Sequence, residues 1–324
     1  MRHRLGSETP GLAYKLCYAC QSLETTPALH TYLPTYTHTH TPTNMAYLIT
    51  GGASNIGSTI ARLLKESNEK VIIGTRSGRL PAGFEASESV KLDWSDPTTF
   101  DGALAQPIKG VYILVPISAV DVSDNVIAFV NKAVEKGVGR FVLMSGSAVK
   151  KEAGFGLAKV HLHLEEKGLD HFVVQPVAFM DNFLTYHRES IREDGEIKSV
   201  LPTARIAFIS TLDIAKLATK GLTNEKNDVT EKLIIGPERL SYNQVAEILS
   251  STLGREIKHT VVSPDELAQH YANLTGWPVQ MAGFIVAAEL EFEKEEELWT
   301  RSGNEIGKET FKEWAERNKE KFLA

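Results

Sequence analysis

The sequence predicts an α/β fold, a doubly wound parallel sheet followed by a smaller α+β part, and three observations carry that prediction. Apolar segments of strand length alternate with segments of helical periodicity from residue 46 to about 176. The first apolar segment runs directly into a glycine-rich turn that opens a helix. Beyond Pro176 the alternation gives way to irregular sequence with short strands and several helices. The expected organisation is therefore an N-terminal segment 1–44, a core 45–176, and a C-terminal part 177–324 interleaved with that core.

The first strand and turn read Ala46-Tyr47-Leu48-Ile49-Thr50-Gly51-Gly52-Ala53-Ser54-Asn55-Ile56-Gly57. Glycines let the backbone turn tightly and approach a pyrophosphate, whose charge the free N–H groups at the helix start stabilise. A G-x-x-G-x-x-G spacing counted from Gly51 finds Ser54 in place of the middle glycine, and a small Ser still fits such a turn. Ile56, Ile60, Leu63 and Leu64 then share one helical face, and Lys70 to Gly74 forms the second strand. This βαβ unit predicts a Rossmann dinucleotide site. The loop after the second strand, Thr75-Arg76-Ser77-Gly78-Arg79, lacks the carboxylate that would accept a hydrogen bond from an NAD ribose. Arg76 offers a planar guanidinium suited to a 2′-phosphate, which predicts NADPH; Arg79 is undecided between that role and a solvated loop charge.

Ser89 to Leu92 gives the third strand, ending in Asp93-Trp94, and Pro97 to Leu104 a short helix. Asp93 reads either as a hydrogen-bond acceptor for adenine or as a turn cap, and Trp94 either as a cover for the ring or as a half-buried core residue. Gly110 to Val115 is the fourth strand, stopped by Pro116 over the expected cofactor, and Asp121 to Lys136 is a helix. Gly139 to Ser145 is the fifth strand; Leu157 to Lys167 and Asp170 to Gln175 supply the next helix and strand. In the C-terminal part, strands are expected near Ala204 to Phe208 and Lys232 to Ile235. Helices are expected at Leu212 to Leu222, Tyr242 to Leu253, Pro264 to Thr275 and beyond Pro278. A charge-rich closing helix, Glu309 to Phe322, reads as a solvated face.

With 324 residues, 42% of them apolar, the chain is long enough for a substantial core. Residues 1–44 hold three basic and two acidic side chains, which leaves 32 basic against 39 acidic in the rest, and a mildly acidic body argues against nucleic acid as the main partner. No apolar run is long enough to span a membrane. The Thr-, His- and Pro-rich stretch Thr31 to Asn44 reads as disordered, and Met45, standing just before the first strand, suggests an extended start site; a targeting role competes through Arg2, Arg4 and the hydroxyl-rich composition, weakened by Glu8 and Glu24. Both cysteines, Cys17 and Cys20, fall in this segment with His30, His38 and His40 nearby; without a folded frame that spacing predicts no metal site. The cysteine-free body excludes thiol catalysis and fits a reducing, cytoplasmic setting.

None of the nine tyrosines has a Lys four residues later, so the Tyr-x-x-x-Lys pair that protonates a carbonyl oxygen in many reductases is missing. Leu157, Val160, His161 and Leu164 share one helical face, turning His161 inward, while Lys159 and His163 point the other way. His161 is then either a hydrogen-bonded core residue or a proton donor. Ser145 is placed to touch the nicotinamide ribose or substrate, or to cap its turn. Asp181 is placed to balance a cationic substrate, or to cap a helix. Val115, Pro116, Pro176 and Phe179 stand at strand ends over the cofactor. Asn182 and Phe183 are candidates for a substrate pocket, and Tyr271, Trp277, Met281 and Phe284 read either as its apolar lining or as core packing. Hydride addition to a cationic iminium yields a neutral amine with no proton needed at the reacting atom, whereas a ketone would develop an alkoxide.

From Met45 onwards the chain resembles the NmrA-like branch of atypical short-chain dehydrogenases, and within it the fungal ergot-alkaloid reductases. The likeness rests on the TGG turn, Arg76, Leu92-Asp93-Trp94, Arg140 to Ser145, Val160-His161, Asn182-Phe183, and above all Ile235-Gly236-Pro237-Glu238 with Leu240-Ser241-Tyr242. The resemblance implies NADPH-dependent reduction of an iminium in an indole-alkaloid intermediate of fungal secondary metabolism. Ser54, Asn55 and Lys159 depart from that subgroup. Two alternatives stay open: a quinone or enone reductase, and a non-catalytic NADP-binding redox sensor, the only reading that requires a protein partner.

Overall fold

The computed structural model describes residues 45–323 except 86, 117–120 and 294–302. The segment 1–44, with Cys17, Cys20 and the expected start-site boundary, lies outside the described residues. The chain runs β1 (Ala46–Thr50), α1 (Asn55–Glu66), β2 (Val71–Thr75), β3 (Glu88–Lys91), α2 (Phe100–Ala103), β4 (Ile108–Ile113), α3 (Ser123–Glu135), β5 (Arg140–Met144), α4 (Gly156–Glu166) and β6 (Asp170–Pro176). It continues with α5 (Asn182–Thr185), α6 (Arg188–Asp194), β7 (Glu196–Ser199), α7 (Thr211–Thr223), β8 (Glu231–Ile235), α8 (Tyr242–Leu253), β9 (Lys258–Val261), α9 (Pro264–Thr275), α10 (Val279–Glu291) and β10 (Glu305–Ile306). Two short helices, Phe311–Arg317 and Lys319–Leu323, close the chain.

Eight strands form one parallel sheet in the order β10-β8-β6-β5-β4-β1-β2-β3. The strand order reverses between β1 and β4, and ligands of open α/β sheets bind beyond the strands' carboxyl ends at that switch point. β1 is buried on both faces: Tyr47 and Ile49 join one apolar cluster, Ala46 and Leu48 the other. A third cluster fills the C-terminal part, centred on Phe183, Phe208, Tyr242, Tyr271, Phe311 and Trp314. The second half of the chain contributes β8 and β10 to the main sheet and pairs β7 with β9 in a separate two-stranded sheet.

Local chemistry sets the helix boundaries. Ser241, Ser263 and Thr310 each start a helix with a capping box, and Pro264 stands at the first turn of α9, which ends on Gly276 at φ +71. Two expectations need correction. The strand expected near Ala204 to Phe208 reduces to single bridges, Ile206 to Leu240 and Phe179 to Ile209, because this stretch threads past the end of the sheet. The closing helix breaks at Asn318, whose side chain donates to the Trp314 carbonyl, and it is not merely a solvated face: Phe311, Trp314 and Phe322 are fully buried.

Candidate active site

A cleft of about 500 Å³ opens at the carboxyl ends of β1 to β4, lined by Gly51, Ala53, Ser54, Thr75, Arg76, Leu92, Asp93, Trp94, Leu114 and Pro116 among others. Gly51 takes φ +60, which only glycine adopts without strain. Gly57 has a different reason. A Cβ there would lie 2.5 Å from the Gly51 carbonyl oxygen, so the helix start and the turn touch through bare backbone. Ser54 caps α1, its Oγ accepting from Gly57 N at 3.0 Å, and so fills the middle-glycine position with a structural task. No acidic residue occupies the first turn of α1, and the N–H groups of Asn55 and Ile56 have no intrahelical acceptor. This cradle fits a pyrophosphate.

Other expected cofactor residues build the walls. The Thr50 hydroxyl is spent between strands, accepting from Leu114 N at 2.8 Å. Gly52 packs on Ile73, and Ile56 is core. Arg76 is exposed at the lip, while Ser77 accepts from Arg79 N within the turn. Asp93 caps its own turn, Oδ1 accepting from Ser95 N. Trp94 is 6% exposed, packs edge-on to Phe100 and Phe129, and donates from Nε1 to Leu114 O. It forms the floor of the cleft and not a lid. Val115 packs against the core beside Pro116. Ser145 follows β5, its N–H on Val174 O, and the Pro176 carbonyl accepts from Ser147 N, so these strand ends hold one another. Phe179 is partly buried after β6.

Two expected catalytic groups are differently employed. His161 faces inward, but α4 runs antiparallel to the strands, and its sixth residue meets the wrong end of the sheet. There it sits 5.9 Å, ring to ring, from His171, the second residue of β6, and 3.9 Å from Glu231, the first of β8. Burial pushes its pKa down, and Nε2 has no hydrogen-bond partner among the described residues. His161 is thus a core residue remote from the cleft. Lys159, outward as expected, pairs with Asp124. Asp181 is a knot: its carboxylate accepts from Asn55 Nδ2 (3.1 Å), Thr211 Oγ1 (3.0 Å) and Trp314 Nε1 (3.3 Å).

A second cavity, of about 140 Å³, lies under the C-terminal part, lined by Asn182, Phe183, His187, Phe208, Tyr242, Ile285, Glu289 and Phe292 among others. Tyr271 stands behind it, donating from its hydroxyl to Glu289 Oε1 at 2.9 Å and stacking near Tyr186. Glu289 is 8% exposed, and Oε2 has no hydrogen-bond partner among the described residues. Burial raises its pKa to about 7 despite the Tyr271 hydrogen bond. Burial also drives His187 down to about 3 and raises Tyr242 and Tyr271 well above the usual phenol range. Of the other expected pocket residues, Trp277 lines the first cleft, Met281 is partly buried on α10, and Phe284 points to solvent at 74% exposure. Phe284, expected in the pocket, therefore lines neither cavity.

The segment after β8 has a physical logic. A Cβ on Gly236 would lie 2.0 Å from the Phe208 carbonyl oxygen; Glu238 accepts from Phe311 N; Leu240 bridges Ile206; Ser241 caps α8; and Tyr242 lines the second cavity. The NmrA-like family model matches residues 44–315.

The chain belongs to the NmrA-like family.

It is 34% identical to agroclavine dehydrogenase of Claviceps fusiformis over 86% of this chain and 99% of that one. It is 32% identical to festuclavine synthase I of Penicillium roqueforti over 86% and 100%. The fold matches the NADPH-dependent quinone oxidoreductase of Escherichia coli, solved with NADPH, at a TM-score of 0.63 and 18% identity over 84% of this chain and 99% of that one. Among the described residues of this NmrA-like protein no helix is long and apolar enough to cross a membrane, and no cluster of His, Cys, Asp and Glu is placed to hold a metal.

Proposed function

We propose that the protein is an NAD(P)-dependent oxidoreductase that uses NADPH to reduce an iminium bond of an indole-alkaloid-like intermediate. The observation that carries the reading is the cleft at the β1/β4 switch point, where a glycine turn closes against the start of α1 and Arg76 stands at the lip. Gly51, Gly52 and the first turn of α1 would hold the pyrophosphate, and Arg76 the 2′-phosphate. When bound, NADPH supplies a hydride.

A C=N⁺ carbon that accepts a hydride becomes a neutral amine, so charge balances without a proton donor at the reacting atom. That suits a chain with no Tyr-x-x-x-Lys pair, whose inward His161 lies at the far end of the sheet and whose Asp181 carboxylate already has three donors. Ser145 and Phe179, which follow β5 and β6, would orient the reacting ring. The relatives named for agroclavine and festuclavine support this substrate class. The test is NADPH consumption by the purified chain against cyclic iminium compounds, quinones and enones, with NADH as control. Turnover of iminium compounds is expected; turnover confined to quinones or enones, or NADPH binding without turnover, would replace this reading with the corresponding alternative.

A further inference from the structure

The cavity beneath α10 has a composition that packing alone does not call for. A carboxylate more than nine-tenths buried costs several kcal/mol of lost hydration unless it is paired. Glu289 is paired on one oxygen only, through Tyr271, and its Oε2 is without a partner among the described residues. Phe183, Phe208, Tyr242 and Phe292 line the same cavity. Ring faces carry negative quadrupole potential and attract cations; together with a carboxylate they repel anions and give a neutral ligand no advantage. The volume is also telling: about 140 Å³ is close to the size of cavity that takes one benzene ring.

We propose that this cavity is a cation-binding subsite in which Glu289 is the counterion for a single positively charged ring, such as a ring ammonium or iminium. The proposal deepens the reductase reading and rests on it for the identity of the ligand as substrate; the site itself is argued from the cavity. Tyr271 positions the carboxylate by holding Oε1, which leaves Oε2 for the ligand. Only one ring fits, so a larger substrate would enter with its charged ring and leave the remainder outside.

Burial shifts the surrounding titratable groups away from neutrality and Glu289 towards it. Tyr271 and His270 come from α9, Tyr242 from α8, Tyr186 and His187 from the α5–α6 turn, and His259 stacks on Tyr242 from β9. Burial holds all three histidines below their usual range and all three phenols above theirs. Lys198 on β7 bears on His270 and lowers it further.

N-methylpyridinium, whose charge is fixed, and toluene, its neutral isostere, test the proposal on the full chain by calorimetric titration with and without saturating NADP⁺. The cation should bind wild type, and Glu289→Gln should weaken it by about tenfold or more while toluene binding stays equal in both proteins. Wild type alone gives a second measurement that no misfolded variant can spoil: cation affinity should rise as pH passes upward through about 7, and toluene affinity should stay flat. Equal cation binding by both proteins, or a cation affinity independent of pH between 6.5 and 8.5, overturns the proposal. NADPH titration of the same samples reports separately on the reductase reading, so that cation binding without NADPH binding upholds the subsite and removes the cofactor assignment.

Discussion

Gly57→Ala is the sharpest perturbation the cofactor cleft offers. The added methyl would stand 2.5 Å from the Gly51 carbonyl oxygen and 3.0 Å from Gly51 C and Gly52 Cα, all backbone atoms with no rotamer to yield. Real Cβ atoms essentially never approach closer than 3.0 Å, so the start of α1 must retreat from the turn by about half an ångström. Overpacking of this kind costs about 1–3 kcal/mol, and a chain of this size loses about 1.5–2 °C of Tm per kcal/mol. The same retreat moves the N–H groups of the first turn away from the anion they are to hold. A loss of about 1.4 kcal/mol there is tenfold in affinity, so the Kd for NADPH should rise by about tenfold or more. Gly102→Ala is the control: it lies in α2 with nothing within 4 Å of the new methyl, and the gain in helix propensity should leave Tm level or raise it, with NADPH affinity unchanged. Thermal unfolding and fluorescence titration with NADPH read both quantities. If Gly57→Ala binds NADPH like wild type at an unchanged Tm, the turn is not the phosphate cradle.

Arg76→Ala should lower kcat/KM for NADPH by about 10- to 100-fold, the loss of one charge-assisted contact, and leave NADH untouched; parallel kinetics with both coenzymes decide it. His161→Leu removes a buried imidazole that lies far from the cleft, and should leave turnover and its pH profile unmoved; a loss of kcat with a shifted profile would restore a catalytic role. His187, held near 3 when folded against about 6.5 in the unfolded chain, favours folding in its neutral form, so its contribution is present above pH 6.5 and is lost as pH falls, by up to about 1.4 kcal/mol per unit. Glu289 works in the opposite sense, its contribution fading as pH rises from about 4.5 towards 7. Denaturant unfolding at pH 7 and 5 should therefore show a shallower acid loss in His187→Phe than in wild type.

What could be read from the sequence was what is local. The turn at Gly51 to Gly57, the helix it opens and the missing carboxylate after β2 are local in sequence, and each has one physical meaning at short range; the capping role of Ser54 emerged only in the structure. The inward face of α4 was legible too, because periodicity gives direction. It does not give height, and the level at which His161 meets the sheet depends on where the antiparallel helix begins, which residue spacing leaves open. The second cavity was hidden for a different reason: Phe183, Phe208, Tyr242 and Glu289 come from four separate stretches of chain. One signal was available. Glu289 continues the buried row of Ala282 and Val286 on α10, and a carboxylate on an apolar helical row asks for a partner. Phe284, two positions before Val286 and on the other side, misled by its aromatic ring alone.

The Asp181 knot has a consequence for anyone recombining this protein with its relatives. Its three donors come from the first helix, the start of α7 and the last tenth of the chain, so no single cut separates the nucleotide end from the part that shapes the second cavity. A chimera joined after β6 would inherit Asn55 from one parent and Thr211 and Trp314 from the other, and it would fold soundly only where both parents agree on that quartet. Exchange of specificity within this architecture is therefore better sought by substituting the walls of the pocket than by trading halves of the molecule.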